Sequence, residues 1–171
     1  MANIGIGVII DLDDTLVVTR ALEAFRRNRD WKKCYEEFSR THLPEGTHAF
    51  LNKLREFAVC GVVTTSPRPY AERLIAFHAL KIEVLVAYYD VKLRKPHPEP
   101  LLLGAQRLHI PIDKCVHIGD SESDVLAARS AGAKSLSVCW TGYSGCEPAF
   151  RKWSDVLKQI EMFSGGANEL G

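Results

Sequence analysis

Short apolar runs rich in β-branched residues recur along the chain, separated by stretches with helical spacing. Ile4 to Leu12, Ala58 to Thr65, Ile82 to Tyr88, Cys115 to Ile118 and Ser135 to Cys139 read as five strands with no polar alternation, the pattern of strands covered on both faces. Thr47 to Phe57, Pro69 to Leu80, Pro98 to Leu108 and Ser121 to Ala131 place apolar residues at i, i+3 and i+4, and Gly132 follows the last as a C-cap. A final helix is expected from Trp153 to near Phe163, and Gly165 to Gly171 is expected to fray. Strand and helix therefore alternate, which predicts an α/β fold: a Rossmann-like three-layer sandwich around a mostly parallel central sheet.

Residues 16–44 break the alternation. They hold two short helical patterns where one crossover helix is expected, so they read as a small helical insert within a single core spanning 1–164. Trp31, Tyr35 and Phe38 share a helical face, and seven basic residues oppose four acidic ones. The basic excess fits either a solvated helical hairpin or a lid that attracts anions.

Composition adds limits rather than a function. The 171 residues are 46% hydrophobic and 25% charged, with 22 Lys and Arg against 21 Asp and Glu; disorder is excluded, and no bulk charge favours nucleic acid or an anionic membrane. The first residues lack the basic start and long apolar run of a signal peptide, and no stretch reaches the roughly 20 apolar residues of a membrane span. A cytoplasmic location is expected. Five scattered cysteines without a C-x-x-C pair indicate neither a disulfide framework nor a zinc ribbon.

The polar signals gather at the carboxyl ends of the expected strands, where open parallel sheets bind ligands. Asp11, Asp13, Asp14 and Thr15 follow the first strand; Thr64, Thr65 and Ser66 follow the second; Lys95 precedes a Pro-started helix; Asp120 and Asp124 follow the fourth. Strand alternation would send Asp11 and Asp13 to one side, where two buried carboxylates require a cation, a shared proton or both. Gly119 permits a tight turn after which Asp120 and Asp124 can return toward the strand ends. A lysine among these carboxylates would offset their charge and could grip a phosphate oxygen. Each feature alone is also a common turn, cap or surface charge.

In order, IIDLDDTLV, VVTTSPRPYAERLIAFHAL, LRKPHPEPLLLGAQRL and VHIGDSESDVLAARSAGA resemble the four motifs of the haloacid dehalogenase-like (HAD) hydrolase superfamily. The segment SVCWTGYSG and the helix after it are similar to phosphoglycolate-phosphatase-like members, here with a reduced cap. The resemblance implies that Asp11 is a nucleophile forming an aspartyl-phosphate and that Asp13 is the general acid and base. It implies Mg²⁺ held by Asp11, the main-chain carbonyl of Asp13 and Asp120, with Asp124 in support, and phosphate held by Thr64, Thr65 and Lys95. Thr65 stands where many relatives carry Asn.

Because a phosphate ester needs a protonated leaving group, Asp13 favours a phosphatase or phosphomutase over a dehalogenase. The short insert encloses little substrate, which argues for hydrolysis of a phosphorylated small molecule, or of a phosphorylated macromolecule entering an open cleft, and against chemistry that needs water excluded. A phosphotransferase and a non-catalytic phosphate-sensing module with the same fold are the alternatives. The oligomeric state is not legible.

Overall fold

In the computed structural model, residues 5–140 and 149–165 are described. The strands β1 (Ile6–Ile10), β2 (Ala58–Val63), β3 (Val84–Val86), β4 (Cys115–Gly119) and β5 (Lys134–Ser137) form one sheet in the order β3-β2-β1-β4-β5. Every neighbouring pair is parallel. The central strand β1 is buried along its whole length, as its continuous apolar run requires of a strand covered on both faces.

Side-chain alternation along β1 divides the core in two. Val8 and Ile10 point toward a cluster formed with α3 (Thr47–Leu54), α4 (Arg68–Phe77) and α7 (Trp153–Gly165); Ile9 points toward a second cluster with α5 (Glu99–Leu108) and α6 (Glu122–Ala131). Helices therefore lie on both faces of the sheet, the expected α/β sandwich. Gly132 ends α6 at φ 85°, in the left-handed region where a Cβ is penalised.

The edge strand β3 is shorter than its apolar run suggests. After Val86 the chain winds into a 3₁₀ turn at Tyr88–Asp90, and the Asp90 carboxylate accepts from Ala87 N at 3.1 Å. A local side-chain acceptor thus replaces strand pairing. The final helix continues to Gly165; the remainder of the expected tail, residues 166–171, and the start of the first expected strand at Ile4 lie outside the described residues. No helix among the described residues is long and apolar enough to cross a membrane.

Residues 16–44 carry the short helices α1 (Glu23–Arg27) and α2 (Trp31–Glu36), flanked by 3₁₀ turns at Arg20–Leu22 and Phe38–Arg40. Asp30 begins α2 by accepting from Lys33 N at 3.2 Å, an N-cap. The aromatic face of this segment packs on the core. Trp31 and Phe38 lie 5.4 and 5.7 Å from the ring of Tyr70 on α4, and Phe38 lies 5.7 Å from Phe77.

Candidate active site

β1 ends at Ile10, and Asp11 N still donates to Ile118 O at 2.9 Å, which fixes Asp11 at the seam between β1 and β4. The chain then turns through Asp14 at φ 59°, a left-handed conformation that a short polar side chain tolerates. Leu16 N and Val17 N return to Leu12 O, each at 3.0 Å, closing a tight loop around the carboxylates.

Lys95 joins two of the strand ends. Its Nζ donates to Asp11 Oδ1 at 2.7 Å and to Asp124 Oδ1 at 2.5 Å, and its side chain is only 3% exposed. The preceding loop is held because the carboxylate of Glu99, at the start of α5, accepts from Lys92 N and Leu93 N at 2.9 and 3.0 Å. Asp124 is further engaged: Oδ2 accepts from Ser121 N at 3.2 Å and Ser121 Oγ at 2.5 Å.

His117 completes the Asp124 environment. Its Nδ1 lies 3.0 Å from Ile9 O, and its Nε2 lies 2.9 Å from Asp124 Oδ1. A carbonyl only accepts, so Nδ1 carries a hydrogen, and the second contact requires a proton between Nε2 and the carboxylate. His117 is therefore a buried partner of Asp124 and does not join Cys115, whose thiol donates to Pro111 O at 3.4 Å.

Electrostatics distinguish the carboxylates. Burial pushes the Asp11 pKa well above the usual value, aided by Asp124 and Asp120 and opposed by Lys95. Asp120 is pushed up to about 6 by burial and by the charges of Asp124 and Asp14. For Asp124 burial acts in the same direction, but Lys95 and His117 outweigh it and hold the carboxyl far below its usual range. Thr15 Oγ1 lies between the first two, 3.4 Å from Asp11 Oδ2 and 3.2 Å from Asp120 Oδ1.

Asp13 faces other partners. Its Oδ1 accepts from Tyr70 Oη at 2.8 Å and Thr19 Oγ1 at 2.9 Å and lies 3.3 Å from Arg26 Nη1; its Oδ2 accepts from Ser66 Oγ at 2.6 Å. Burial and the Asp13 charge hold the Tyr70 phenol far above its usual pKa, so it remains a donor. Arg26 also reaches Asp14 Oδ2 at 3.3 Å, and Asp14 Oδ1 accepts from Thr19 N at 2.9 Å.

The group suited to a cation comprises Asp11, Asp120 and Asp124, which can each present an atom within 4.8 Å of the others. These are hard oxygen donors, and three carboxylates share one ammonium, Lys95, which reaches Asp11 and Asp124 but not the half-buried Asp120, so the residues fit Mg²⁺. Asp124 is already saturated by Lys95, His117 and Ser121, which suits support more than direct ligation.

Thr64 is buried, and its Oγ1 accepts from Ser66 N at 3.0 Å. Thr65 between them is exposed. In sequence Arg26 is one of several basic residues of 16–44 expected to draw anions toward Asp11, and nothing there marks Thr19, Tyr70 or His117 as partners of these carboxylates. Tyr70 has the spacing of an ordinary core residue, with Leu74 one turn on; Arg26 is indistinguishable in sequence from the basic residues around it.

The chain matches the model for haloacid dehalogenase-like hydrolases over residues 20–132. It is 32% identical over 133 residues to a phosphoglycolate phosphatase of Xanthomonas campestris, covering 75% of this chain and 60% of that protein. A phosphoglycolate phosphatase of Escherichia coli K12 is 37% identical over 103 residues, 58% of this chain and 40% of that protein. The chain therefore spans about half the length of these relatives. A hydrolase from Pseudomonas syringae superposes with a TM-score of 0.77 at 21% identity, covering 92% of this chain and 98% of that one. CbbY from Rhodobacter sphaeroides, solved with phosphate, gives a TM-score of 0.75 at 16% identity, covering 88% and 95%.

Proposed function

The chain belongs to the haloacid dehalogenase-like hydrolase family, and from that premise we propose that it is a Mg²⁺-dependent phosphomonoesterase. The observation that carries this reading is the ammonium of Lys95 bridging Asp11 and Asp124, both buried, at 2.7 and 2.5 Å. A phosphate dianion entering there meets a fixed cation beside a carboxylate nucleophile, and phosphoryl transfer demands mainly positioning and charge stabilisation.

In this reading Asp11 attacks phosphorus as the ester P–O bond breaks, and Asp13 gives a proton to the leaving oxygen. Water then attacks the aspartyl-phosphate, Asp13 takes the water's proton, and the bond from phosphorus to Asp11 breaks. Lys95, with Thr64 and Thr65, holds phosphoryl oxygens. Asp11, Asp120 and the Asp13 carbonyl would hold Mg²⁺, with Asp124 in support, and the ion would orient the phosphate and offset its charge.

Residues 16–44 serve as a reduced cap on a core spanning 1–164. The phosphoglycolate phosphatases among the relatives favour a phosphorylated small molecule over a macromolecule. The four cysteines among the described residues, Cys34, Cys60, Cys115 and Cys139, are buried and free, which suits a reducing compartment such as the cytoplasm.

The test is phosphate release from an aryl phosphate, with Mg²⁺ and with chelator, for the wild type and Asp11→Asn. Metal-dependent turnover abolished by the substitution is expected. Turnover that survives in Asp11→Asn would overturn the aspartyl-phosphate route.

A further inference from the structure

The proton donor of the reaction proposed above is held by the insert as much as by the core. Of the four groups that engage Asp13, Thr19 and Arg26 come from residues 16–44, while Ser66 and Tyr70 come from the second strand end and α4. Tyr70 is itself wedged against Trp31 and Phe38 of the insert. The insert thus acts on Asp13 directly and through Tyr70.

The two carboxylate oxygens are treated unequally. Tyr70 and Thr19 donate to Oδ1 and fill its accepting sites, and the Arg26 guanidinium adds an ion pair at 3.3 Å on the same oxygen, whereas Oδ2 meets Ser66 alone. A serine hydroxyl can rotate from donating to accepting, so Oδ2 can carry a proton beside Ser66. Oδ1 has no such room, because Tyr70 and Thr19 already donate to it and a proton there would face the Arg26 cation.

Arg26 reinforces this asymmetry with a planar fork. Nη1 lies 3.3 Å from Asp13 Oδ1 and Nη2 lies 3.3 Å from Asp14 Oδ2, with the side chain 19% exposed. Its Nε is buried and has no partner among the described residues. An unsatisfied buried donor is unfavourable, so packing alone gives no reason for a guanidinium here. Two neighbours on the same segment behave as ordinary surface charges: Arg27 pairs with Glu23 and Lys32 with Glu36, all well exposed.

We propose that Arg26 is a positioning residue for Asp13: together with Thr19 and Tyr70 it occupies Oδ1, leaving Oδ2 as the oxygen that protonates the departing alkoxide. The inference rests on the phosphomonoesterase reading. In the step concerned, a bond forms from an Asp11 oxygen to phosphorus, the ester P–O bond breaks, and the proton on Asp13 Oδ2 moves to the leaving oxygen.

Esters that differ only in their need for that proton provide the test. An alkyl phosphate such as glycerol phosphate has a poor leaving group and depends on the acid; p-nitrophenyl phosphate has a good one and depends on it little. In Arg26→Met, kcat for the alkyl ester is expected to fall by about 30-fold or more, within the contribution usual for acid catalysis, and for the nitrophenyl ester by about 3-fold or less. Arg26→Lys, which keeps a cation but loses the fork, should recover part of the alkyl rate. It also carries the comparison if Arg26→Met does not fold. Arg27→Met should leave both rates unchanged. An equal loss on both esters by the folded Arg26 variants would overturn the positioning role while leaving the phosphatase reading intact. A folded, Mg²⁺-loaded wild type inactive on both would overturn that reading and this one with it.

Discussion

The carboxylate of Asp124 packs directly over the α-carbon of Gly119, where any Cβ would overlap the Asp124 side chain. The glycine that ends β4 is therefore needed for space. Its neighbour cannot yield easily, because Asp124 is fixed at once by Lys95, His117 and Ser121. Gly119→Ala is expected to displace Asp124 and with it the ammonium that faces Asp11. Overpacking of this kind typically destabilises by about 1–3 kcal/mol, and turnover should fall by at least about 10-fold. Thermal melting and phosphate release check both; an alanine variant with wild-type activity would show that the contact is slack.

Removing the shared cation has a different signature. Lys95 is the charge that Asp11 and Asp124 both face, and burial opposes its protonation less than those two carboxylates favour it. Lys95→Met strands two buried carboxylates, and breaking such a pair commonly costs about 3–5 kcal/mol. We expect a marked fall in Tm together with loss of turnover. Replacing Asp124 as well, in Lys95→Met with Asp124→Leu, should restore part of the Tm and none of the activity. Equal Tm values for wild type and Lys95→Met would refute the pairing.

The sheet and the carboxylates at its edge were legible because they are local in sequence. Continuous apolar runs define the strands, and Asp11, Thr64, Lys95 and Asp120 each follow or precede an element whose periodicity is plain. What surrounds Asp13 was not legible. Tyr70 and Ser66 are 57 and 53 residues away from it, and nothing in an apolar helical repeat tells a core tyrosine from one whose hydroxyl meets a carboxylate. Arg26 looked like part of a basic surface, yet its guanidinium faces inward. Strand alternation grouped Asp11 with Asp13, but β1 stops at Ile10 and the loop gives the two carboxylates separate partners.

The loop carrying Asp11 and Asp13 is also fastened from the far side. Trp140 Nε1 donates to Thr15 O at 2.7 Å, and its ring lies 4.6 Å from that of Trp153, which stacks on Phe50 at 4.3 Å. Trp140→Phe keeps an aromatic ring but strands the Thr15 carbonyl. A stability loss of about 1–3 kcal/mol is expected. Because Thr15 Oγ1 reaches both Asp11 and Asp120, the Mg²⁺ concentration for half-maximal activity should rise. A lower Tm with unchanged Mg²⁺ dependence would mean that the indole supports only the fold.

The Asp120 carboxyl gives the metal-free protein a pH dependence of definite sign. Its pKa in the folded chain is pushed up to about 6 from an ordinary 3.8, first by burial and then by Asp124 and Asp14. Between those values the folded protein keeps a proton that the unfolded chain has released. Metal-free stability therefore falls as pH rises from about 4 to about 6, and the full penalty persists above that. Asp11 and Asp14 are raised as well and act in the same direction. Asp124 is depressed, so its contribution is present above pH 4 and is lost only as pH falls below the ordinary carboxyl value. Melting in chelator from pH 4 to 7 should accordingly show a steeper decline for the wild type than for Asp120→Asn, and the variant should be the more stable at pH 7. In a domain of this size 1 kcal/mol moves Tm by roughly 2–4 °C, so the difference is measurable. Added Mg²⁺, which binds the ionised carboxylates, should raise the wild-type Tm increasingly with pH. Parallel curves for wild type and Asp120→Asn in chelator would refute the raised pKa of Asp120.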